Sequence, residues 1–519
     1  MPTVRYKFGI SNLATASVDS SAFCEVVLRF VDRRRRWVFA AIAAVYLLGF
    51  NGQWQIEPDS ALYLILARSL ALGRGYTYEG TRQETAYPGL PVALAGIYRI
   101  VPNHIIFAAD VLILGSALAA LALLYRLVLL AYDRPTAVVI VCGVAFSLEF
   151  VRYSQEILTD MPFLTGVLAV LAGHEAIFYA RDSRPARWWD WAILFAGLMI
   201  AISTRPTMIG LLIAWIAALL FAAIARRNRS ALVAICCCLG GLGVFVALDP
   251  LRVAGHGPLG AYEQYAIRQL TQFSQMRAVM AKNAYFLFCF NIVKTSFGMR
   301  LWKRWINAVF GAAILLAAIS LVRKRLFWGL WVIVNVLTLL LTVSDERYLL
   351  PILPLLALGW WNFLRAVNRR WPSGAGNWIV ALLLVMGTGL NLGQVFVTVA
   401  HQRASPFLAD YQGGKYLPFA RMARELPANT SPADVVVCPP KLARMMNFLT
   451  DRTFREEHEE INAVPGHLLV ILDPADADYS NWLAAQGITP QGEPLVIVPR
   501  SGKQPAIQLT LAELTRAGQ

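Results

Sequence analysis

The sequence predicts an α-helical polytopic membrane protein with about 11 transmembrane helices, followed by a small C-terminal α/β domain. Of its 519 residues, 57% are hydrophobic and only 15% are charged, which excludes an ordinary soluble protein of several domains. The apolar residues are grouped in runs close to the length of about 20 that a helix needs to cross the hydrocarbon core. Short clusters of Lys and Arg separate these runs, as the positive-inside rule describes.

The formal net charge of +15 comes from the membrane part of the chain. Residues 400–519 hold 11 basic and 13 acidic residues, whereas the preceding part holds 36 basic and 19 acidic residues. Because the basic residues cluster between apolar runs, they indicate membrane topology and not a nucleic-acid partner. The seven cysteines lie mostly inside apolar runs and lack the spacing of metal ligands or of a disulfide framework.

The N-terminal part of the chain sets the predicted orientation. Residues 1–36 are polar and basic and are predicted to be a cytoplasmic segment, because Arg33–Arg36 precede the first apolar run. No small-residue cleavage site follows that run, so it is predicted as the first span, residues 37–53, and not as a removed signal peptide. Residues 60–72 carry Arg68 and residues 88–100 are too short to span, so both are predicted as helices in the outer interface.

Ten further spans complete the predicted membrane domain, residues 37–399. They are predicted at 105–130, 136–150, 161–180, 191–204, 206–225, 231–248, 306–322, 327–343, 349–363 and 378–399. The predicted outer loops are 54–104, 151–160 and 250–305, and the last of these is expected to contain a helix near 263–280 and an aromatic run at 285–290.

The C-terminal segment, residues 400–519, is predicted to lie outside the cytoplasm, because an odd number of spans separates it from the N-terminus. Its composition is that of a soluble α/β domain. Residues 433–438 and 467–472 are predicted as short buried strands, and residues 442–449 as the helix between them.

Asp59 is the leading candidate for a catalytic group. It lies in the stretch Pro58-Asp59-Ser60-Ala61-Leu62-Tyr63, just beyond the first span. An Asp directly before an apolar helical run is a natural N-cap. The same carboxylate at the membrane surface is also suited to general acid–base catalysis. The residues alone leave cap and catalyst equally open.

Three further acids are candidates. Asp160 precedes a span, and Glu156 lies four residues earlier, on the same face if the segment is helical. The loops after the first and third spans put Asp59 and Asp160 on one side of the membrane, where we expect them to converge on one pocket. Asp110 lies inside the second span, and an acid within the membrane indicates a function.

Two arginines, Arg205 and Arg347, lie at the outer ends of spans, where positive charge is normally scarce. A guanidinium can bond two oxygens of a lipid phosphate at once, so a phosphate site is one interpretation. An ion pair or a headgroup contact is the other, since Asp345 lies close to Arg347 in the chain. Arg82, in the first outer loop, is a third candidate for phosphate binding, with a solvated loop as its alternative.

Five motifs occur in a set order along the chain. They are Pro58-Asp59-Ser60-Ala61-Leu62-Tyr63, Tyr87-Pro88, Leu158-Thr159-Asp160-Met161-Pro162, Thr204-Arg205-Pro206-Thr207 and Asp345-Glu346-Arg347-Tyr348-Leu349-Leu350-Pro351. This order resembles the bacterial membrane glycosyltransferases of the GT-C class, in particular the protein O-mannosyltransferase and lipid A aminoarabinose transferase group. The resemblance covers roughly residues 37–400.

The resemblance implies a glycosyltransferase that takes a hexose or pentose from a polyprenyl-phosphate donor. The acceptor would be a hydroxyl of a lipid, glycan or protein at the extracytoplasmic face of the inner membrane. It also implies that Asp59 acts on the acceptor and that Tyr87 belongs to the site. Relatives often carry two adjacent acids here, whereas Ser60 follows Asp59, so catalysis would rest on Asp59 alone or with Asp160.

We expect inverting transfer with no required cofactor and no metal site, while a divalent metal assisting Asp59 stays open. A transporter or flippase of lipid-linked sugars is the alternative function. Such proteins tend to contain inverted repeats and helices broken at the midplane, and neither is evident in the sequence.

Overall fold

Helices make up most of the described chain. The computed structural model describes residues 23–514 apart from 79–80, 84–85, 180–185, 226–228, 249–272, 299–302, 343–344, 372–374, 405–416, 432, 440–441, 451, 456–466, 475 and 500–504. The helices before residue 405 are α1 Phe23–Gly49, α2 Pro58–Ala71, α3 Gly89–Ile100, α4 Ile105–Ala131, α5 Arg134–Ala145, α6 Leu148–Tyr153, α7 Asp160–Phe178, α8 Trp188–Thr204, α9 Met208–Ala225, α10 Arg229–Leu248, α11 Phe273–Phe286, α12 Ile292–Phe297, α13 Arg304–Ile319, α14 Leu326–Leu341, α15 Leu353–Arg370 and α16 Ala375–Ala404.

Three short elements connect these helices near the site. Strands β1 Thr77–Tyr78 and β2 Thr81–Arg82 form an antiparallel hairpin between α2 and α3. A π-helical turn, Leu287–Asn291, joins α11 to α12, and a 3₁₀ helix, Glu346–Ile352, precedes α15.

Several helices are suited to a bilayer. Five helical segments of the described chain are long and apolar enough to cross a membrane: Pro102–Ala131, Asp160–Phe178, Arg304–Arg323, Glu346–Arg370 and Asn377–Ala400. Shorter apolar helices, among them α5, α8, α9 and α14, accompany them. Large apolar side chains such as Trp378 and Ile224 are more than three-quarters exposed, as a lipid-facing surface requires. The chain is therefore a helical membrane protein, and the count of about 11 spans stays a prediction.

Each of the ten spans predicted after the first overlaps one of these helices. One expectation needs correction, because the first helix begins at Phe23 and Arg33–Arg36 lie within it and not before it. In the predicted outer loop, residues 273–297 form α11, the π turn and α12, and α11 overlaps the helix expected near 263–280. The aromatic run 285–290 is helical there, since buried Leu287 and Ile292 pack into the bundle. Residues 249–272 of that loop lie outside the described chain.

Helix α7 lies at the centre of the membrane part, and nearly all of its residues are buried. It approaches α8 closely because both carry glycine at the contact. A Cβ on Gly166 would lie 2.8 Å from the carbonyl oxygen of Gly197. Small residues allow helix backbones to come this near in a membrane, where packing drives association. Asp160 begins α7 and Arg205 follows α8, so both residues lie at the same end of this helix pair.

The C-terminal part, from residue 417, contains a mixed sheet with helices. Its elements are α17 Leu417–Asn429, β3 Val435–Val437, α18 Ala443–Thr450, β4 Thr453–Arg455, β5 Leu468–Leu472, α19 Ala477–Ala485, β6 Ile488–Val498 and β7 Ile507–Leu514. The strand order is β4-β3-β5-β7-β6, with β3 parallel to both neighbours and β7 antiparallel to both of its own. Strands β3 and β5 lie in the predicted strand segments, and α18 in the predicted helix.

Candidate active site

Asp59 lies in the first turn of α2 and is not its N-cap. The cap residue is Glu57: its N–H donates to Ser60 Oγ at 3.1 Å, and Ser60 Oγ donates to the Glu57 carbonyl at 2.7 Å. The indole N–H of Trp54 donates to the same Oγ at 2.9 Å, which ties the incoming loop to the helix. The Asp59 side chain remains 38% exposed, so its carboxylate is available for other contacts.

Arg347 is the nearest cation to Asp59. Its Nη1 donates to Asp59 Oδ2 at 3.1 Å, and its Nη2 donates to Tyr348 Oη at 3.0 Å. Asp345 caps the 3₁₀ helix by accepting the Arg347 backbone N–H at 3.1 Å, which fixes the backbone below the guanidinium. The Arg347 Nε is buried and has no hydrogen-bond partner among the described residues.

Asp160 and Arg205 form a second, buried pair. Arg205 Nη1 donates to Asp160 Oδ1 at 2.8 Å, and their side chains are 8% and 1% exposed. The Arg205 guanidinium also lies 4.7 Å from the centre of the Tyr348 ring, and that of Arg347 lies 4.9 Å from the same centre. The aromatic ring therefore contacts both cations. Asp59, Asp160, Arg205 and Arg347 therefore come together around Tyr348, as predicted from the sequence. Asp160 and Arg205 are buried, whereas Asp59 and Arg347 are partly exposed.

Four glutamates and two cations form a cluster beside this pair. Arg152 contacts Glu156 at 2.9 Å and Glu57, Glu149 and Glu346 at 3.8–3.9 Å. Lys294 on α12 pairs with Glu149 at 3.3 Å and with Glu346. Because Glu346 precedes Arg347 in the chain, this cluster holds the 3₁₀ helix against α6 and α12.

Glu156, a candidate from the sequence, is fully buried in this cluster. Burial raises the pKa of its carboxyl well above the usual range, and the nearby Arg152 guanidinium opposes that rise. Its position favours a structural carboxyl over a solvent-accessible acid.

An apolar cavity of about 380 Å³ lies among α1, α5, α15 and α16. Its wall includes Phe146, Leu353 and Trp360, and its polar lining includes Ser147 and Ser296. Ser147 lies two residues from Glu149, and Ser296 lies two residues from Lys294. The segments that line this end of the cavity therefore also carry residues of the glutamate cluster.

Arg444 of the C-terminal part also reaches the site. Its Nη1 lies 3.7 Å from Asp59 Oδ1, the carboxylate oxygen opposite to the one that Arg347 contacts. The C-terminal part therefore lies on the same side of the helical bundle as Asp59.

The remaining candidates are Arg82, Tyr87 and Asp110. Arg82 is exposed on the β1–β2 hairpin, and Tyr87 is buried ahead of α3. Asp110 is 4% exposed within α4, and its Oδ1 has no hydrogen-bond partner in the described residues. Their roles stay predictions. Within the described ranges, no group of three or more His, Cys, Asp or Glu could hold a metal ion.

Sequence reasoning missed four site residues. Glu149 lies at the end of the predicted span 136–150 and Arg152 follows that span, and charges at the edge of an apolar run are the signal that could have found them. Lys294 lay hidden in the segment interpreted as a loop. The residues around Arg444 in the sequence do not mark it as a site residue. It reaches Asp59 only because the C-terminal part packs on the helical bundle.

Comparisons with known proteins give matches at the level of structure only. No protein-family model and no curated protein matches the chain. The chain is similar to the crystal structure of ArnT from Cupriavidus metallidurans in the apo state, with a TM-score of 0.57 and 13% identity over 93% of this chain and 98% of that one. ArnT bound to undecaprenyl phosphate matches with the same values.

A second likeness is to the Archaeoglobus fulgidus oligosaccharyltransferase in complex with Zn and sulfate. Its TM-score is 0.54 and its identity 11%, over 85% of this chain and 69% of that one. ArnT and this oligosaccharyltransferase are both GT-C glycosyltransferases. The chain therefore has the fold of the GT-C membrane glycosyltransferases, as the order of its motifs indicates.

Proposed function

We propose that this chain is a membrane glycosyltransferase that moves a sugar from a polyprenyl-phosphate donor to an acceptor hydroxyl at the extracytoplasmic face. The observation that carries the proposal is the partly exposed Asp59–Arg347 pair, joined at 3.1 Å at the start of α2, in a chain with the GT-C fold. A carboxylate and a guanidinium side by side supply the two functions that such a transfer needs, a base and a phosphate-binding cation.

Asp59 is the base of the proposed reaction. It takes the proton of the acceptor hydroxyl as the acceptor oxygen bonds to the anomeric carbon. The bond from that carbon to the phosphate oxygen breaks, and its electron pair leaves with the polyprenyl phosphate. A single displacement of this kind inverts the configuration at the anomeric carbon. The donor sugar is a hexose or a pentose, and the acceptor is a lipid, glycan or protein hydroxyl.

Arg347 is the phosphate ligand of the proposed reaction. Its Nη1 bonds the Asp59 carboxylate at a partly exposed position. Exchange of this contact for a phosphate oxygen would free Asp59 to act as a base and would stabilise the charge that grows on the leaving group. Arg205 does not bind the phosphate directly in this proposal. It contacts the same Tyr348 ring as Arg347 and so helps to hold that ring in place.

The cavity near Ser147 and Ser296 supplies a place for the donor tail. Its wall is apolar along Phe146, Leu353 and Trp360, and an isoprenoid chain is apolar throughout. ArnT, which shares this fold, is known bound to undecaprenyl phosphate, and this adds support.

The test is transfer by the purified protein in nanodiscs supplied with a polyprenyl-phosphate sugar and candidate acceptors. We expect a glycosylated acceptor of inverted anomeric configuration, identified by mass spectrometry and NMR, together with free polyprenyl phosphate. Movement of the lipid-linked sugar across a vesicle membrane with no new glycosidic bond would instead establish the transporter alternative.

The orientation is tested separately with a topology reporter fused after residue 399. An extracytoplasmic reporter is expected, because the C-terminal part lies on the Asp59 side of the bundle. A cytoplasmic reporter would move the site to the inner membrane surface and would overturn the proposed location of the reaction.

A further inference from the structure

The C-terminal part packs directly on the helix that carries Asp59. Phe448 of α18 meets Trp54 edge to face, with ring centres 5.0 Å apart. Arg68 of α2 lies 5.7 Å from the centre of the Phe448 ring and donates to the Phe448 carbonyl at 3.5 Å. Asn447 donates to Tyr78 Oη at 3.3 Å. These contacts place one face of α18 along α2, from Trp54 before the helix to Arg68 in its last turn.

This docking brings a third charge to the exposed pair. Arg444 and Arg347 contact opposite oxygens of Asp59, at 3.7 Å and 3.1 Å. All three side chains are about one-quarter to two-fifths exposed, so solvent and ligands reach them. Two guanidiniums on one carboxylate leave an excess of positive charge at the point where the proposed donor phosphate arrives.

We propose that Arg444 is a second ligand of the donor phosphate, supplied by the C-terminal part, so that this part completes the catalytic site. The inference rests on the proposed function. When the phosphate binds, Arg347 and Arg444 both exchange Asp59 for phosphate oxygens. The carboxylate is then released by the same event that fills the donor site. Two guanidiniums approaching from different elements match the several oxygens of a phosphate group.

The alternative is that Arg444 only anchors the C-terminal part to Asp59, and a double-mutant cycle separates the two. Affinity for undecaprenyl phosphate is measured with the full chain in phosphatidylcholine nanodiscs. The variants are Arg444→Gln alone and in the Asp59→Asn background, with Arg424→Gln as the matched control. Arg424 is exposed on α17 of the same part of the chain. Thermal unfolding shows that each variant is folded.

We expect Arg444→Gln to weaken binding roughly tenfold in both backgrounds, because a charge-assisted contact with the phosphate is lost in each. Arg424→Gln should bind like the wild type. Arg444→Lys keeps the positive charge but lacks the forked guanidinium, so it should lose less affinity for undecaprenyl phosphate. This variant takes the place of Arg444→Gln if the Gln variant does not fold.

Four results would overturn the inference. Loss of the Arg444→Gln effect in the Asp59→Asn background would reduce Arg444 to an anchor. Equal competition by phosphatidylglycerol would make the site a general headgroup contact. An Arg347→Gln variant that weakens binding while Arg444→Gln does not would defeat this inference and leave the proposed function standing. Wild-type protein that binds no undecaprenyl phosphate would overturn both.

Discussion

The two Asp–Arg pairs that meet at Tyr348 have the same chemistry and opposite surroundings. Asp160 and Arg205 are 1% and 8% exposed, whereas Asp59 and Arg347 are 38% and 26% exposed. Separating a buried pair has a high free-energy cost, because each charge would then be buried without a partner. An exposed pair contributes little to stability and can exchange its partner for a ligand. We infer that the buried pair fixes the frame and that the exposed pair performs the chemistry.

The largest effect is expected from breaking the buried pair. Arg205→Met leaves the Asp160 carboxylate enclosed without its partner and should lower the free energy of unfolding by about 3–5 kcal/mol. The measurement is chemical or thermal unfolding of the purified protein in detergent. The connection from α8 to α9 would lose its contact with α7 in this variant.

The matched control replaces both members of the buried pair. The double variant Asp160→Leu with Arg205→Met removes both charges and should recover much of the lost stability, because no unpaired charge remains. If Arg205→Met alone were as stable as the wild type, the pair would not hold the frame, and the contrast between the two pairs would fail.

The next effect concerns the exposed pair. Arg347→Gln should weaken the affinity for polyprenyl phosphate roughly tenfold to a hundredfold, since it removes charge-assisted contacts with the phosphate. Its free energy of unfolding should change by less than about 1 kcal/mol, as for other partly exposed pairs. Binding is measured by titration in nanodiscs. A variant that loses several kcal/mol of stability while binding normally would reverse the assignment of the two pairs.

Much of this site could be predicted from the sequence, because its motifs report local chemistry. Asp59 and Asp160 each stand beside the start of an apolar helix, and Arg205 and Arg347 stand where positive charge is scarce. Topology alone places such residues on one side of a membrane. Their pairing could not be predicted, since the sequence gives no distances and each acid could have met either arginine.

Other features depend on packing and were outside the reach of local patterns. The sequence predicts the segment 273–297 as part of an outer loop, because its charged and aromatic residues obscure the apolar periodicity of the face that is buried. Lys294 gains its position only when α12 packs beside α6 and the 3₁₀ helix. Arg444 is brought to Asp59 by the contact of Phe448 with Trp54, between parts of the chain whose association no local motif encodes.

The smallest expected effect is at Tyr348, which contacts both pairs. Tyr348→Phe removes the hydroxyl that accepts from Arg347 Nη2 and should cost about 1 kcal/mol in donor affinity, with the ring and the buried pair unchanged. Tyr348→Leu also removes the aromatic contact with Arg205 and should lower the unfolding free energy by a further ~0.5–2 kcal/mol. Titration and unfolding of the two variants separate the roles. Equal behaviour of the two would show that the ring does not couple the pairs.

We infer that the partly exposed Asp59 carboxylate is the base and that the buried Asp160 carboxylate is not. The inference is tested by the turnover of a polyprenyl-phosphate sugar by purified Asp59→Asn, measured beside its thermal unfolding. We expect unchanged unfolding and a rate lower by about 10²–10⁴, the usual contribution of a general base. Wild-type turnover by folded Asp59→Asn would contradict it.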